Sequence, residues 1–170
     1  MKKIKLALAP LVLIFPVIAT AADPTAADVR AYLESKGGDA AVSKFFSCAD
    51  DGGFNGFERV ASGDKEWVDV GLRVLPSTAA CEREVLYSSL AQAMPKAPTL
   101  VLPLVTKNNA RVACLPLSIG DDDMKSWAPH LARLEKALSR VSQENLQNAK
   151  KLCMQEISAA RKSLKSGRGM

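Results

Sequence analysis

Residues Gly63 to Met94 read GDKEWVDVGLRVLPSTAACEREVLYSSLAQAM, and this stretch decides the fold class. Gly63 breaks what precedes it, and Asp64 is placed to cap a new helix. Trp67, Val68, Gly71, Leu72 and Leu75 follow at spacings of one, three and four, which is the signature of one helical face. Pro76 closes the segment, because a residue before proline is pushed out of the helical region. Ser77 or Thr78 is placed to cap a second helix, with Glu82 and Glu84 near its positive dipole end. Val85, Leu86, Ser89, Leu90, Ala93 and Met94 form its apolar face, and Pro95 and Pro98 end it. Two amphipathic helices with a short connection predict an antiparallel αα-hairpin. Such a hairpin cannot bury both faces alone, so the rest of the chain must cover it.

Upstream, Thr25-x-x-Asp28 fits a capping box with Asp in place of Glu, and Val29, Tyr32 and Leu33 give the helix that follows an apolar edge. Lys36-Gly37-Gly38 stops that helix. Asp39 is placed to cap the next, which turns Ala41, Val42, Phe45, Phe46 and Ala49 inward. After Asp50-Asp51-Gly52-Gly53, the residues Phe54, Phe57, Val60 and Ala61 predict one more short helix before Gly63. Downstream, Thr99 to Ser118 admits two readings. One is a short helix with Pro98 at its first position, weakened by Pro103, then an irregular buried segment. The other is a β-hairpin across Asn108-Asn109. Proline in both apolar runs, at Pro103 and Pro116, demotes them as strands and favours the helical reading. Beyond the acidic turn Gly120 to Asp123, Trp127, Leu131, Leu134, Leu138 and Val141 keep helical spacing, with Ser126 as the expected cap and Pro129 in the first turn. Leu146, Ala149, Cys153, Ile157, Ala160 and Leu164 repeat the pattern. The stripe shifts between Val141 and Leu146, so Ser142 caps a separate helix or marks a kink. The fold expected is all-α: a compact array of about six short-to-medium helices around the central αα-hairpin, in one domain over residues 23–170.

Residues 1–22 stand outside that domain. Lys2, Lys3 and Lys5 form a basic start, Leu6 to Ile18 is apolar and uncharged, and Ala19-Thr20-Ala21 fits the small-x-small cleavage rule. This predicts a cleaved signal peptide, cut after Ala21 or one residue later, and a periplasmic or secreted mature chain without stable membrane insertion. Cleavage would remove three of the 23 Lys and Arg, leaving 20 against 18 Asp and Glu, a net +2. That balance does not point to nucleic acid. The basic tail of Arg161, Lys162, Lys165 and Arg168 reads as a helix end whose cations complement the dipole.

Four cysteines in an exported chain read as a disulfide framework. Cys153 lies on the apolar stripe of the last helix and Cys114 in an apolar segment, so these two are paired, leaving Cys48 with Cys81. Closing about 39 residues stabilises a fold by roughly 4 kcal/mol on the chain-entropy account. No C-x-x-C or paired Cys/His spacing supports zinc. The run Asp121, Asp122, Asp123 lacks the EF-hand spacing and its distal glutamate. His130, the only histidine, needs a free thiolate beside it to form a nucleophilic site, and export removes free thiols; it reads as a surface residue at a helix start. Glu82 and Glu84 fall on different helix faces, and no P-loop, dinucleotide fingerprint or G-x-S-x-G occurs. No catalytic residue, cofactor or metal ligand is assigned.

At class level the chain resembles the small periplasmic immunity proteins that inhibit cell-wall-degrading toxins, such as those of type VI secretion amidases. The resemblance covers the signal, the size, the helices and the cysteines, and carries over no residue. With the missing motifs, it implies a non-catalytic protein-binding module directed at another envelope or secreted protein. The alternatives are a small secreted hydrolase whose site is assembled from separated residues, and an envelope assembly or chaperone-like factor. The expected contact sites are two acidic loops, one holding Asp50 and Asp51, the other Asp121, Asp122 and Asp123.

Overall fold

The structure is a computed structural model that describes residues 23–49, 54–116 and 124–166. Among the described residues there are nine α-helices and no strand: α1 (Ala26–Lys36), α2 (Gly38–Phe45), α3 (Gly56–Ala61), α4 (Lys65–Val74), α5 (Ala80–Ala93), α6 (Pro98–Val101), α7 (Ala110–Cys114), α8 (Met124–Ser139) and α9 (Gln147–Ser166). The expected count was lower because α6 and α7 are single turns that carry no periodicity of their own.

Local chemistry accounts for most of the boundaries. At the start of α1, the Thr25 N–H donates to Asp28 Oδ2 at 2.8 Å, and Thr25 Oγ1 accepts from the Asp28 N–H at 3.2 Å, completing the capping box. Gly37, at φ 86°, both ends α1 and precedes α2, so Asp39 sits inside the first turn of α2 and does not cap it. Asn55 caps α3 by accepting from the Phe57 and Glu58 N–H groups. Around these short helices Tyr32, Phe45, Phe46, Phe54, Phe57 and Trp67 pack ring on ring at centroid distances of 5.3 to 6.1 Å, mostly edge to face. Ala49 is exposed and does not join them.

Asp64 caps α4 as its position implies, accepting from the Glu66 N–H at 2.9 Å and the Trp67 N–H at 3.2 Å. The buried face is turned relative to the sequence stripe: Val68, Val70, Gly71, Val74 and Leu75 are buried, while Trp67 and Leu72 are half-covered. Gly71 explains the turn. A Cβ there would lie 2.9 Å from Val60 Cγ2 in α3 and 3.4 Å from Leu86 Cδ1 in α5, so three helices meet at this point. Along the rest of its length α5 packs more closely on α3 than on α4. The hairpin is thus one side of a three-helix junction. Neither Ser77 nor Thr78 caps α5; Ala79 takes the cap position. Residues Leu75–Ser77 form a 3-10 turn that the buried Thr78 closes, its hydroxyl donating to the Leu75 carbonyl at 2.7 Å. Val85 is exposed, whereas Leu86, Ser89, Leu90, Ala93 and Met94 are buried.

Where it is described, the ambiguous 99–118 stretch forms short helical turns joined by loop, and no strand. Pro98 opens α6, and Pro103 lies in the 3-10 turn Leu102–Leu104. Asn109 then redirects the chain: its Oδ1 accepts from the Thr106 N–H at 2.7 Å and hydroxyl at 2.9 Å, and its Nδ2 donates to the Leu104 carbonyl at 2.9 Å. The turn signal therefore leads into α7, where an irregular segment was expected.

Trp127, Leu131, Leu134, Leu138 and Val141 are all buried, as are Leu146, Ala149, Cys153, Ile157 and Ala160. Helix α8 starts by Met124, so Ser126 lies inside it and Pro129 is an internal residue. Gln143, not Ser142, precedes the 3-10 turn Glu144–Leu146 that leads into α9. Two disulfides brace the array in the expected pairing. Cys114–Cys153 joins α7 to α9 with Cα atoms 5.3 Å apart, and Cys48–Cys81 joins the segment after α2 to the first turn of α5 with Cα atoms 6.3 Å apart. The first pair is fully buried; in the second, Cys48 is half-buried and Cys81 exposed. Among the described residues no helix is long and apolar enough to cross a membrane.

Candidate functional site

A strongly charged concave surface lies along one flank of α8. The buried stripe of α8 runs through Trp127, Leu131, Leu134 and Leu138. One step around the helix, His130, Arg133, Lys136, Ala137 and Arg140 form a second stripe at spacings of three and four. It faces Ala61 at the end of α3, Gln92 near the end of α5, and Pro95 and Lys96 in the turn beyond. Between them is an open groove of about 460 Å³. Four cations and the only histidine line it, and no carboxylate does.

Of the four cations, Lys96 alone is anchored by a hydrogen bond among the described residues. Lys96 is held by its own donor: Nζ donates to the Ser62 carbonyl at 2.6 Å. Its stem lies flat on Gly63, where a Cβ would come within 2.8 Å of Lys96 Cβ. Gly63 also adopts φ 76°, a left-handed conformation that glycine takes without steric cost. The α8 cations are exposed, and among the described residues none of the three is paired with an acid. Nor do they cap the end of α8. Lys150 Nζ serves the carbonyls of Val141 at 2.9 Å and Ser139 at 3.4 Å, and the Gln147 amide serves Gln143 at 3.0 Å. Like charges three or four apart on a helix destabilise it by about 0.2–0.5 kcal/mol per pair, which the favourable interaction of Lys136, in the last turn, with the helix dipole offsets in part.

His130 differs from its sequence reading as a surface residue. Because α8 begins by Met124, His130 lies well inside the helix and is half-buried. Its Nε2 is buried without a hydrogen-bond partner. Burial first, and the Arg133 charge second, push its pKa below the ordinary value and favour the neutral ring. Such a ring has no carboxylate in the groove to orient it. The four cysteines are all in disulfides, so none supplies a thiolate. Among the described residues no group of three His, Cys, Asp or Glu side chains is placed to hold a metal ion.

The sequence-derived contact candidates Asp50, Asp51, Asp121, Asp122 and Asp123 lie outside the described residues. Of the basic tail, Arg161 is paired with Glu135 at 2.5 Å, and Arg161, Lys162 and Lys165 line a second depression, between α8 and α9, with Glu135; Arg168 is outside the described residues. Sequence reasoning missed Lys96, Arg133, Lys136 and Arg140 because it pooled charge over the whole chain. Segment by segment, residues 124–166 carry nine Lys and Arg against three Glu, a net +6, while residues 23–116 carry ten against twelve, a net −2.

Fold and surface together define a class: a disulfide-braced chain, all-α among the described residues, with a cationic groove along α8. The chain matches no protein-family profile, no curated protein and no solved structure.

Proposed function

We propose that this protein is an exported, non-catalytic protein-binding module, of the inhibitor or immunity type, that acts on another envelope or secreted protein. The observation that carries the reading is the α8 groove: a built, concave surface with four cations, a neutral histidine, and neither a carboxylate nor a nucleophile. That set can hold an anionic surface, but it lacks the paired acid and base that proton transfer requires. Export supports it from a second direction. The signal-like residues 1–22 and the two disulfides both fit an oxidising compartment. Disulfides that tie separate helices together also give a scaffold that loses little freedom on association. The acidic residues Asp50, Asp51 and Asp121 to Asp123 stay within the proposal as a further contact element for a basic part of the partner.

The test has two arms. Cross-linked, disulfide-intact protein is used to capture partners from periplasmic extract, and the activity of any captured enzyme on cell-wall substrate is measured with and without the protein. The expected result is a saturable, stoichiometric change in that activity. Turnover of a cell-wall or peptide substrate by the protein alone, abolished by His130→Ala, would overturn the reading.

A further inference from the structure

The α8 flank poses a question that the fold does not answer. Arg133, Lys136 and Arg140 repel one another, and among the described residues they pair with no acid and donate to no carbonyl at the end of α8. Surfaces elsewhere on the molecule show that the chain can pair its cations, so the row is not a general habit of this sequence. Local features that disagree with stability are found where a surface has another task.

We propose that this groove docks a carboxylate-bearing segment of a protein partner, with Arg133, Lys136, Arg140 and Lys96 as the contacts. The proposal deepens the binding-module reading and rests on it. Geometry selects the ligand. Arg133 and Arg140 are seven residues apart, which at the helical rise is about 10 Å, the span of three to four residues of extended chain. Guanidinium forks donate two parallel N–H bonds to a carboxylate, and two of the contacts are arginines. The groove floor is small and neutral at Ala61, Pro95 and Ala137, which leaves room for a peptide backbone, and the Gln92 side chain offers it both a donor and an acceptor. A single-stranded nucleic acid fits less well, because no Phe, Tyr or Trp ring lines the groove to stack successive bases, and its one imidazole, His130, is half-buried. A membrane surface fits less well too: the site is concave, and the one large apolar side chain exposed among the described residues, Val85, is not among its lining residues.

The probe is a fluorescent hexaglutamate peptide, titrated at low ionic strength against the disulfide-intact protein. Arg133→Gln, Lys136→Gln and Arg140→Gln combined should weaken binding by about tenfold or more, on the order expected for losing three charge contacts. A control that removes the same charge from α9, Lys151→Gln with Lys162→Gln and Lys165→Gln, should change it by less than about twofold. All six side chains are exposed, so melting curves should report folded protein for both variants. The proposal is overturned if the wild type does not bind the peptide, or if groove and control variants lose binding equally. It is also overturned if a single-stranded oligonucleotide, inorganic phosphate or phosphatidylglycerol vesicles bind more tightly through the same residues. Concentration-dependent self-association that the groove variant abolishes, without peptide binding, would assign the site to a second copy of this chain instead. A failed peptide experiment leaves the binding-module reading standing on other surfaces; only substrate turnover by the protein alone removes that reading.

Discussion

On the α1–α4 side, Arg30 reaches Glu66 at 3.1 Å and Asp69 at 3.8 Å, Arg59 reaches Asp23 at 2.6 Å, and Arg73 reaches Asp69 at 2.8 Å. On the groove side of α8, Arg133, Lys136 and Arg140 follow one another, and among the described residues none is paired with an acid. The contrast says little about stability, since exposed ion pairs contribute about 0–1 kcal/mol each. It says much about the field each surface presents. A cation beside a carboxylate is neutralised within a few ångströms, whereas a row of unpaired cations in a concave site projects a potential that steers anionic partners. The near-neutral +2 of residues 23–170 therefore hides a net −2 over residues 23–116 and a net +6 over residues 124–166, with Asp121 to Asp123 and Arg168 making up the difference.

The comparison can be broken first at the disulfides, one of which staples each region. Chain entropy alone makes them nearly equal, at roughly 4 kcal/mol for sequence separations of 33 and 39. Burial separates them. Replacing Cys114 and Cys153 with alanine should cost more than replacing Cys48 and Cys81, because the former pair also leaves a cavity beside Met94. Urea unfolding of the two double variants measures the difference, and mild reductant should open the exposed Cys48–Cys81 bond first. Equal losses would show that packing around α7 and α9 adds nothing.

Next in size is the three-helix junction. Gly71→Ala should destabilise by about 1–3 kcal/mol through overpacking against Val60 and Leu86, read as a lowered urea midpoint with unchanged slope. A smaller effect, about 1 kcal/mol, is expected for Asp64→Ala, which removes the cap of α4. Neutralising Arg133, Lys136 and Arg140 should leave stability within about 0.5 kcal/mol, or raise it slightly, in contrast to both. A large loss there would mean that the row is structural.

Acid titration gives the smallest and most selective comparison. Asp28 in the first region is held below the ordinary carboxylate value of 3.8 by its side-chain and then its backbone bond with Thr25. Its contribution is complete above that value and is lost as pH falls through the lowered one. His130 on the α8 flank is depressed below 6.5, so its neutral form belongs to the folded state. Its contribution is likewise complete above 6.5 and lost as pH falls through the lowered value. His130→Gln should flatten the stability profile just below pH 6.5, and Asp28→Asn only below pH 3.8. If His130→Gln leaves the upper part unchanged, burial does not hold that ring neutral.

Periodicity carried the fold where helices are long. The stripes of α8 and α9 are buried at every expected residue but Leu164, which is half-covered, and they placed Cys153 correctly opposite Cys114. It failed where the local rule met a tertiary contact. The α4 face turned because Gly71 admits two neighbouring helices, a fact that apolar spacing does not encode. Thr78 looked like a cap but was spent closing a 3-10 turn. Pro129 pulled the expected start of α8 downstream, and with it His130 onto the surface. The groove was half legible: Arg133, Lys136 and Arg140 stand at helical spacing in the sequence, but Lys96 joins them only through Gly63 and the Ser62 carbonyl, more than thirty residues upstream.

The most direct measurement is an NMR titration of isotope-labelled, disulfide-intact protein with the hexaglutamate peptide, following backbone amides and arginine Nε–H signals together. The account predicts that the signals of Lys96, Arg133, Lys136 and Arg140 move along one saturating curve, while those of Arg30, Arg59 and Arg73 stay in place because carboxylates already occupy Nη2 of the first two and Nε of the third. Movement of the paired arginines with the α8 flank unchanged, or no movement at either, would contradict it.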